Sequence, residues 1–164
     1  MVHLMLLRHA KSDWSSPGVP DHDRPLNQRG VQAAKLMGKV IEKSLPRVEL
    51  VVASTAVRVQ ETLRLMQDTW KRLSPSISST RELYLASPKS ILQMTERLDN
   101  SYSAVLVIAH NPGLEELAQQ LSGQAVAFPT ACVAEFRTSA DSWALAAAPG
   151  AWAMQQVLRP RDLE

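Results

Sequence analysis

Four short apolar runs punctuate the chain: residues 3–7 (HLMLL), 48–53 (VELVVA), 77–80 (ISST, the weakest) and 104–109 (AVLVIA). The second and fourth are nearly continuous and rich in β-branched side chains, which suits strands buried on both faces of a parallel sheet. Helical patterns lie between them. Residues 27–43 place Val31, Ala34, Met37, Val40 and Ile41 on one stripe. Residues 56–73 do the same with Val59, Leu63, Met66 and Trp70. Segments 88–98 and 112–121 each open with Pro, which is tolerated in the first helical turn. Strand and helix therefore alternate through residue 123, the mark of an α/β fold.

After Gly123 the pattern changes. Segments 130–137, 142–148 and 151–157 read as strands, with Pro149-Gly150 as a tight turn between the last two. An antiparallel hairpin at one side of the sheet is expected. The polar tail, 159–164, is expected to fray, leaving 1–158 as a single domain. The longest stretch without a pattern is 11–25, and a loop of that length is usually functional.

Composition narrows the class. The chain has 164 residues, 45% of them hydrophobic and 21% charged, ordinary globular values. A net charge of +2 argues against a protein that coats nucleic acid. The single cysteine, Cys132, excludes an internal disulfide and a multi-cysteine metal site, and a buried inert thiol is expected. No apolar run reaches the length of a membrane helix, and the N-terminal segment is charged too early for a signal peptide, so a cytoplasmic protein is expected. Charge is unevenly spread, however. Residues 1–82 carry 13 basic and 8 acidic side chains, and residues 83–164 carry 5 and 8. The first half is the place to look for an anion site.

In open α/β sheets, ligands bind beyond the carboxyl ends of the strands. The first strand runs into Arg8-His9-Ala10. The second runs into Ser54-Thr55-Ala56, with Arg58 one turn into the next helix. The fourth runs into His110-Asn111-Pro112-Gly113. Two imidazoles and two guanidiniums at three strand ends, with no carboxylate among them, make a poor metal site and a good phosphate site. The helix after His110 adds backbone N–H groups at its positive end. Ser54 and Asn111 fit equally well as pocket donors or as caps of the helices that follow. His3 and His22 lack a strand-end context and read as structural or surface residues.

LLRHAKS at 6–12, DHDRPLNQRG at 21–30, STAVRVQET at 54–62 and VIAHNPGLEEL at 108–117 together resemble the histidine phosphatase superfamily, and within it the small SixA-type phosphohistidine phosphatases. The resemblance spans residues 3–121 in order and spacing. It implies a phosphoglycerate mutase-like fold, a three-layer αβα sandwich around a mainly parallel sheet. It also implies a metal-independent, cofactor-free phosphohydrolase. His9 would be the nucleophile and would form a phosphohistidine intermediate. Arg8, Arg58 and His110 would bind and neutralise the phosphoryl oxygens. Arg24 matches a residue near the pocket in the SixA branch and is carried over as a phosphate or substrate contact.

Three departures bear on the chemistry. The third motif residue is Ala10 where the family usually has Gly, which would be strained at a positive φ. Ser15 stands where larger members carry Asn. Leu85 stands where they carry a proton-donating Glu, leaving Glu82 as the nearest carboxylate, with a surface role the expected one. An alkoxide leaving group generally needs general-acid help, whereas the imidazole of a phosphohistidine departs readily. The leading expectation is therefore a phosphatase for phosphohistidine in a protein, such as a phosphotransfer domain. A small-molecule phosphomonoesterase or sugar-phosphate mutase, and a non-catalytic phosphoanion-binding module, remain alternatives.

Overall fold

The computed structural model describes all 164 residues. Six strands form one sheet in the order β3-β2-β4-β1-β5-β6. These are β1 (Val2–Arg8), β2 (Leu50–Ser54), β3 (Ser76–Thr80), β4 (Ala104–Ala109), β5 (Val133–Thr138) and β6 (Ala153–Leu158). The first four are mutually parallel, and β5 runs antiparallel to both β1 and β6. Helices α1 (Gln28–Ser44) and α2 (Val57–Gln67) cover one face; α3 (Pro88–Glu96) and α4 (Gly113–Ser122) cover the other.

The alternation of side chains along each strand divides the core in two. Leu4, Leu6, Val105 and Val107 join Ile91 and Leu114 on the α3/α4 face. Met5, Leu7, Leu106 and Ile108 join Met37, Ile41 and Met66 on the α1/α2 face. This is the expected three-layer αβα sandwich with a mainly parallel sheet. Cys132 is buried as expected, and burial pushes its thiol up to about 12. No helix is long and apolar enough to cross a membrane.

Local chemistry explains the helix starts. Asn27 accepts from the Gly30 amide at 2.8 Å, and Ser87 accepts from Ser90 before Pro88 opens α3. At the start of α4 only glycine fits, because a Cβ on Gly113 would lie 1.9 Å from the Ala86 carbonyl oxygen.

Three expectations are corrected. The second helix ends at Gln67 and does not continue to 73, because the Glu42 carboxylate of α1 accepts the amides of Lys71, Arg72 and Leu73 and draws them out of the helical pattern. Segment 142–148 is not a strand. Ser142 caps a short 3-10 turn, Trp143–Leu145, and the fully buried Trp143 donates its indole N–H to the Tyr102 carbonyl at 2.8 Å. The antiparallel hairpin is therefore β5 with β6, joined by a long connection. The tail is not frayed, since the Arg159 guanidinium donates to the Ala127 carbonyl at 2.9 and 3.2 Å and Pro160–Asp162 forms a 3-10 turn.

Candidate active site

The register sets the site. Arg8 at the end of β1 is level with Ala109 of β4, and Ala53 of β2 is level with Ile108. His9, Ser54 and His110 therefore emerge side by side at one sheet edge. Arg58, in the first turn of α2, lies across them and is only 3% exposed.

Hydrogen bonds fix the tautomers. His9 Nδ1 lies 2.7 Å from the carbonyl of Ala10, and its Nε2 faces the Nε–H of Arg58 at 3.3 Å. Nδ1 therefore carries the proton and Nε2 the lone pair. In His110 the roles are reversed. Arg58 Nη2 donates to Nδ1 at 3.2 Å, so Nε2–H donates to Ser54 Oγ at 2.8 Å. The two rings are 5.3 Å apart, centre to centre. Burial, then the neighbouring guanidiniums, pushes His9 down to about 4. Burial, then His9 and Arg58, pushes His110 down to about 3. Both imidazoles are neutral at pH 7.

Ser54 does not cap α2, whose start has no side-chain cap; its hydroxyl accepts from His110 Nε2–H and from the Ala56 amide at 3.2 Å. Asn111 acts as a cap. Its amide donates to the Phe128 carbonyl at 2.9 Å, and its oxygen accepts the Glu115 amide of α4 at 3.2 Å. Arg8 Nη1 donates to the same Phe128 carbonyl at 3.2 Å. Arg24 packs under the exposed ring of Trp14, its guanidinium carbon 3.2 Å from the ring centre. The Nε of Arg8 and the Nε and Nη1 of Arg24 are buried without any acceptor. Unpaired buried cationic donors are costly, and a bound anion is one group that would satisfy them. Ala10 does not adopt a positive φ, so the departure from Gly causes no backbone strain there.

The pocket also contains groups the sequence did not reveal. Asp21 is a carboxylate at the site, contrary to the expected set of imidazoles and guanidiniums with no carboxylate among them. Its Oδ1 accepts from Arg24 Nη2 at 2.7 Å. Its Oδ2 accepts from Tyr84 at 2.5 Å and from Arg58 Nη2 at 3.1 Å, and its backbone carbonyl accepts from Arg58 Nη1 at 2.7 Å. Tyr84, and then the two guanidiniums, pull its carboxyl down to about 2. His22 is drawn in too, bonded to Thr55 Oγ1 at 2.9 Å and packed edge-on to Tyr84, which packs edge-on to His110. Glu82 is excluded. It pairs with Arg97 at 2.5 Å on the exposed surface, as its expected surface role requires.

The model of the histidine phosphatase superfamily (branch 1) matches residues 4–84. A Mycobacterium tuberculosis protein of uncharacterised function is 33% identical over 84% of this chain and 90% of its own length. The chain belongs to the histidine phosphatase superfamily. An Arabidopsis thaliana protein described as chloroplastic is 29% identical over 96% of this chain and 77% of its own. Within the superfamily the fold is that of the SixA branch. The Nakamurella multipartitia protein assigned as phosphohistidine phosphatase SixA superposes with a TM-score of 0.85 at 28% identity, covering 97% and 96% of the two chains. A protein histidine phosphatase SixA solved with tungstate shares the fold, with a TM-score of 0.83 at 22% identity over 99% and 100%. As a histidine phosphatase, the chain is an enzyme that acts on phosphorylated substrates.

Proposed function

We propose that this histidine phosphatase hydrolyses phosphohistidine on a protein, using His9 as the nucleophile. The observation that carries this reading is the state of His9. It is a buried neutral imidazole, locked at Nδ1 by the Ala10 carbonyl, whose Nε2 lone pair accepts only the long 3.3 Å bond from Arg58 Nε–H, which it gives up to attack. Nε2 attacks phosphorus, the leaving group departs, and water then releases phosphate from the phosphohistidine at His9. Arg8, Arg58 and Arg24 neutralise the phosphoryl oxygens as charge shifts, and His110 donates to them. In the free enzyme His110 spends its N–H on Ser54, so a bound phosphate dianion must draw that proton, or a second one, toward itself.

Substrate class follows from the proton inventory. Leu85 stands at the usual donor position, Glu82 is tied to Arg97, and Asp21 is held ionised by Tyr84 and the arginines. No protonated carboxyl waits beside a leaving alkoxide at neutral pH. A phosphoramidate leaving group needs far less help than a sugar alkoxide. This supports an N–P bond over a sugar phosphate.

The test is His9→Ala, which should abolish turnover of a phosphohistidine peptide and eliminate an acid-labile, base-stable phosphoenzyme. Retained turnover would overturn the nucleophile. Comparing the wild type on phosphohistidine peptides and sugar phosphates tests the substrate class, and faster sugar-phosphate hydrolysis would reverse it.

A further inference from the structure

Beside the histidine pair lies a second depression. Its volume is about 1220 Å³, and Arg8 forms part of its wall, whereas His9, Arg58 and His110 do not line it. The rest of the wall comes from the loop after β1, the start of α1, Asn111 and Glu115 at the start of α4, residues 127–130 and the C-terminal turn. Four further cations line it: Lys11, Arg29, Arg159 and Arg161. Glu115, Asp162 and Glu164 line it too, yet none of the ion pairs in the structure joins any of these carboxylates to any of these cations. Glu115 is occupied by the Phe128 amide at 2.9 Å, and Arg159 by the Ala127 carbonyl. Lys11, Arg29 and Arg161 are exposed and unpaired.

We infer that this cleft docks the acidic flank of the phosphorylated protein whose phosphoryl group enters at Arg8. The inference rests on the phosphoprotein reading above and names the chemistry of the partner. Charge complementarity selects an acidic occupant. Breadth selects a protein over a second phosphate, for three reasons. The volume exceeds that of typical small-ligand pockets. The cations are spread over three separate chain segments. The exposed ones sit as rim charges do in protein interfaces, where they steer encounter and set specificity. Arg8 joins the two regions, so a protein seated in the cleft presents its phosphoryl group at the nucleophile's side.

The test separates docking from chemistry. Three phosphohistidine peptides of equal length are compared, with the histidine flanked by glutamates, serines or lysines. Affinity is measured on His9→Ala protein, so that bound peptide is not consumed. Turnover is measured on protein with His9 intact. The glutamate peptide should bind about tenfold tighter than the serine peptide at low salt, and the difference should shrink toward 1 M salt. Arg29→Glu with Arg161→Glu should reverse the order in favour of the lysine peptide, an effect general misfolding does not produce. The same pair in the presence of His9 should leave kcat/KM on p-nitrophenyl phosphate within twofold of wild type. Equal affinities for the three peptides, or an equal loss across them in the double variant, would overturn the docking site. So would tripolyphosphate competing more strongly than the glutamate peptide, which would point to a small second-phosphate ligand. Peptide turnover is read separately. Binding preference without turnover would overturn the phosphohistidine reading and leave the acidic cleft standing.

Discussion

Thr62 ties the loop of His9, the proposed nucleophile, to the helix that carries Arg58. Its hydroxyl accepts the Ala10 amide at 3.1 Å and donates to the Arg58 carbonyl at 2.7 Å, and both Thr62 and Ala10 are essentially inaccessible to solvent. Thr62→Val keeps the shape and deletes the hydroxyl, so it opens no cavity. The Arg58 carbonyl keeps its place in the helix ladder, and losing a back-bond of this type costs little. The Ala10 amide has no water to turn to. One orphaned buried N–H costs about 1–3 kcal/mol. For a domain of this size, roughly 2 kcal/mol lowers Tm by about 4–8 °C. The kinetic effect follows because the Ala10 carbonyl holds the His9 tautomer at 2.7 Å. A shift of Ala10 misplaces the attacking nitrogen, and small misplacements cost up to about 100-fold in rate. The expected result is a 10- to 100-fold fall in kcat on p-nitrophenyl phosphate, together with the loss in urea stability, and Thr62→Ser should restore both. A Thr62→Val enzyme that loses stability but keeps kcat would refute the claim that this tether positions His9. One that loses neither would refute the hydrogen bond itself.

Three further outcomes follow from the structure. Burial pushes His9 from its ordinary 6.5 down to about 4, so the proposed nucleophile stays unprotonated down to that range, and the acid limb of kcat/KM should lie near 4. Because the folded value is the lower one, its contribution to stability is complete above about 6.5 and is lost as pH falls through 4. Urea unfolding between pH 3.5 and 7.5 checks the second statement, and an acid limb at 6.5 would contradict the first. Gly113→Ala should destabilise by about 1–3 kcal/mol by overpacking, since its Cβ would meet the Ala86 carbonyl oxygen at 1.9 Å. Helix propensity alone predicts a gain at this position, so the sign measured by chemical denaturation decides between them.

The strand ends were legible in the sequence because two local signals coincide there. A β-branched run marks a buried parallel strand, and the residue just past it must face the ligand edge. That reasoning located Arg8, His9, Ser54, Arg58 and His110, which the structure brings together. It failed wherever a side chain overrode the local pattern. Glu42 ends α2 from a different helix, and nothing within residues 68–73 announces it. Segment 142–148 alternates like a strand, but Trp143 is anchored in the core by Tyr102 and Asn100, 41 and 43 residues earlier in the chain. Arg24 reached the site through family resemblance; its seat beneath Trp14 is a tertiary fact.

Asp21 is the most consequential residue that escaped the sequence. It lies in a patternless loop, where an acidic side chain ordinarily reads as solvated. A carboxylate opposes anion binding, but the bond inventory resolves the conflict. Arg58 spends its donors on His9, His110 and Asp21. It is therefore oriented before substrate arrives, and Asp21 is what holds its outer edge. Arg24 gives Asp21 only Nη2, keeping Nε and Nη1 free, and Arg8 keeps Nε free. The unspent donors thus lie on Arg8 and Arg24, while Arg58 is braced against the two imidazoles. In the proposed mechanism, Arg8 and Arg24 receive the phosphoryl group with these donors while Asp21 stays in place and Arg58 contributes its charge. Asp21→Asn keeps the shape but weakens the brace on Arg58, so on this division of labour it damages kcat more than phosphate affinity.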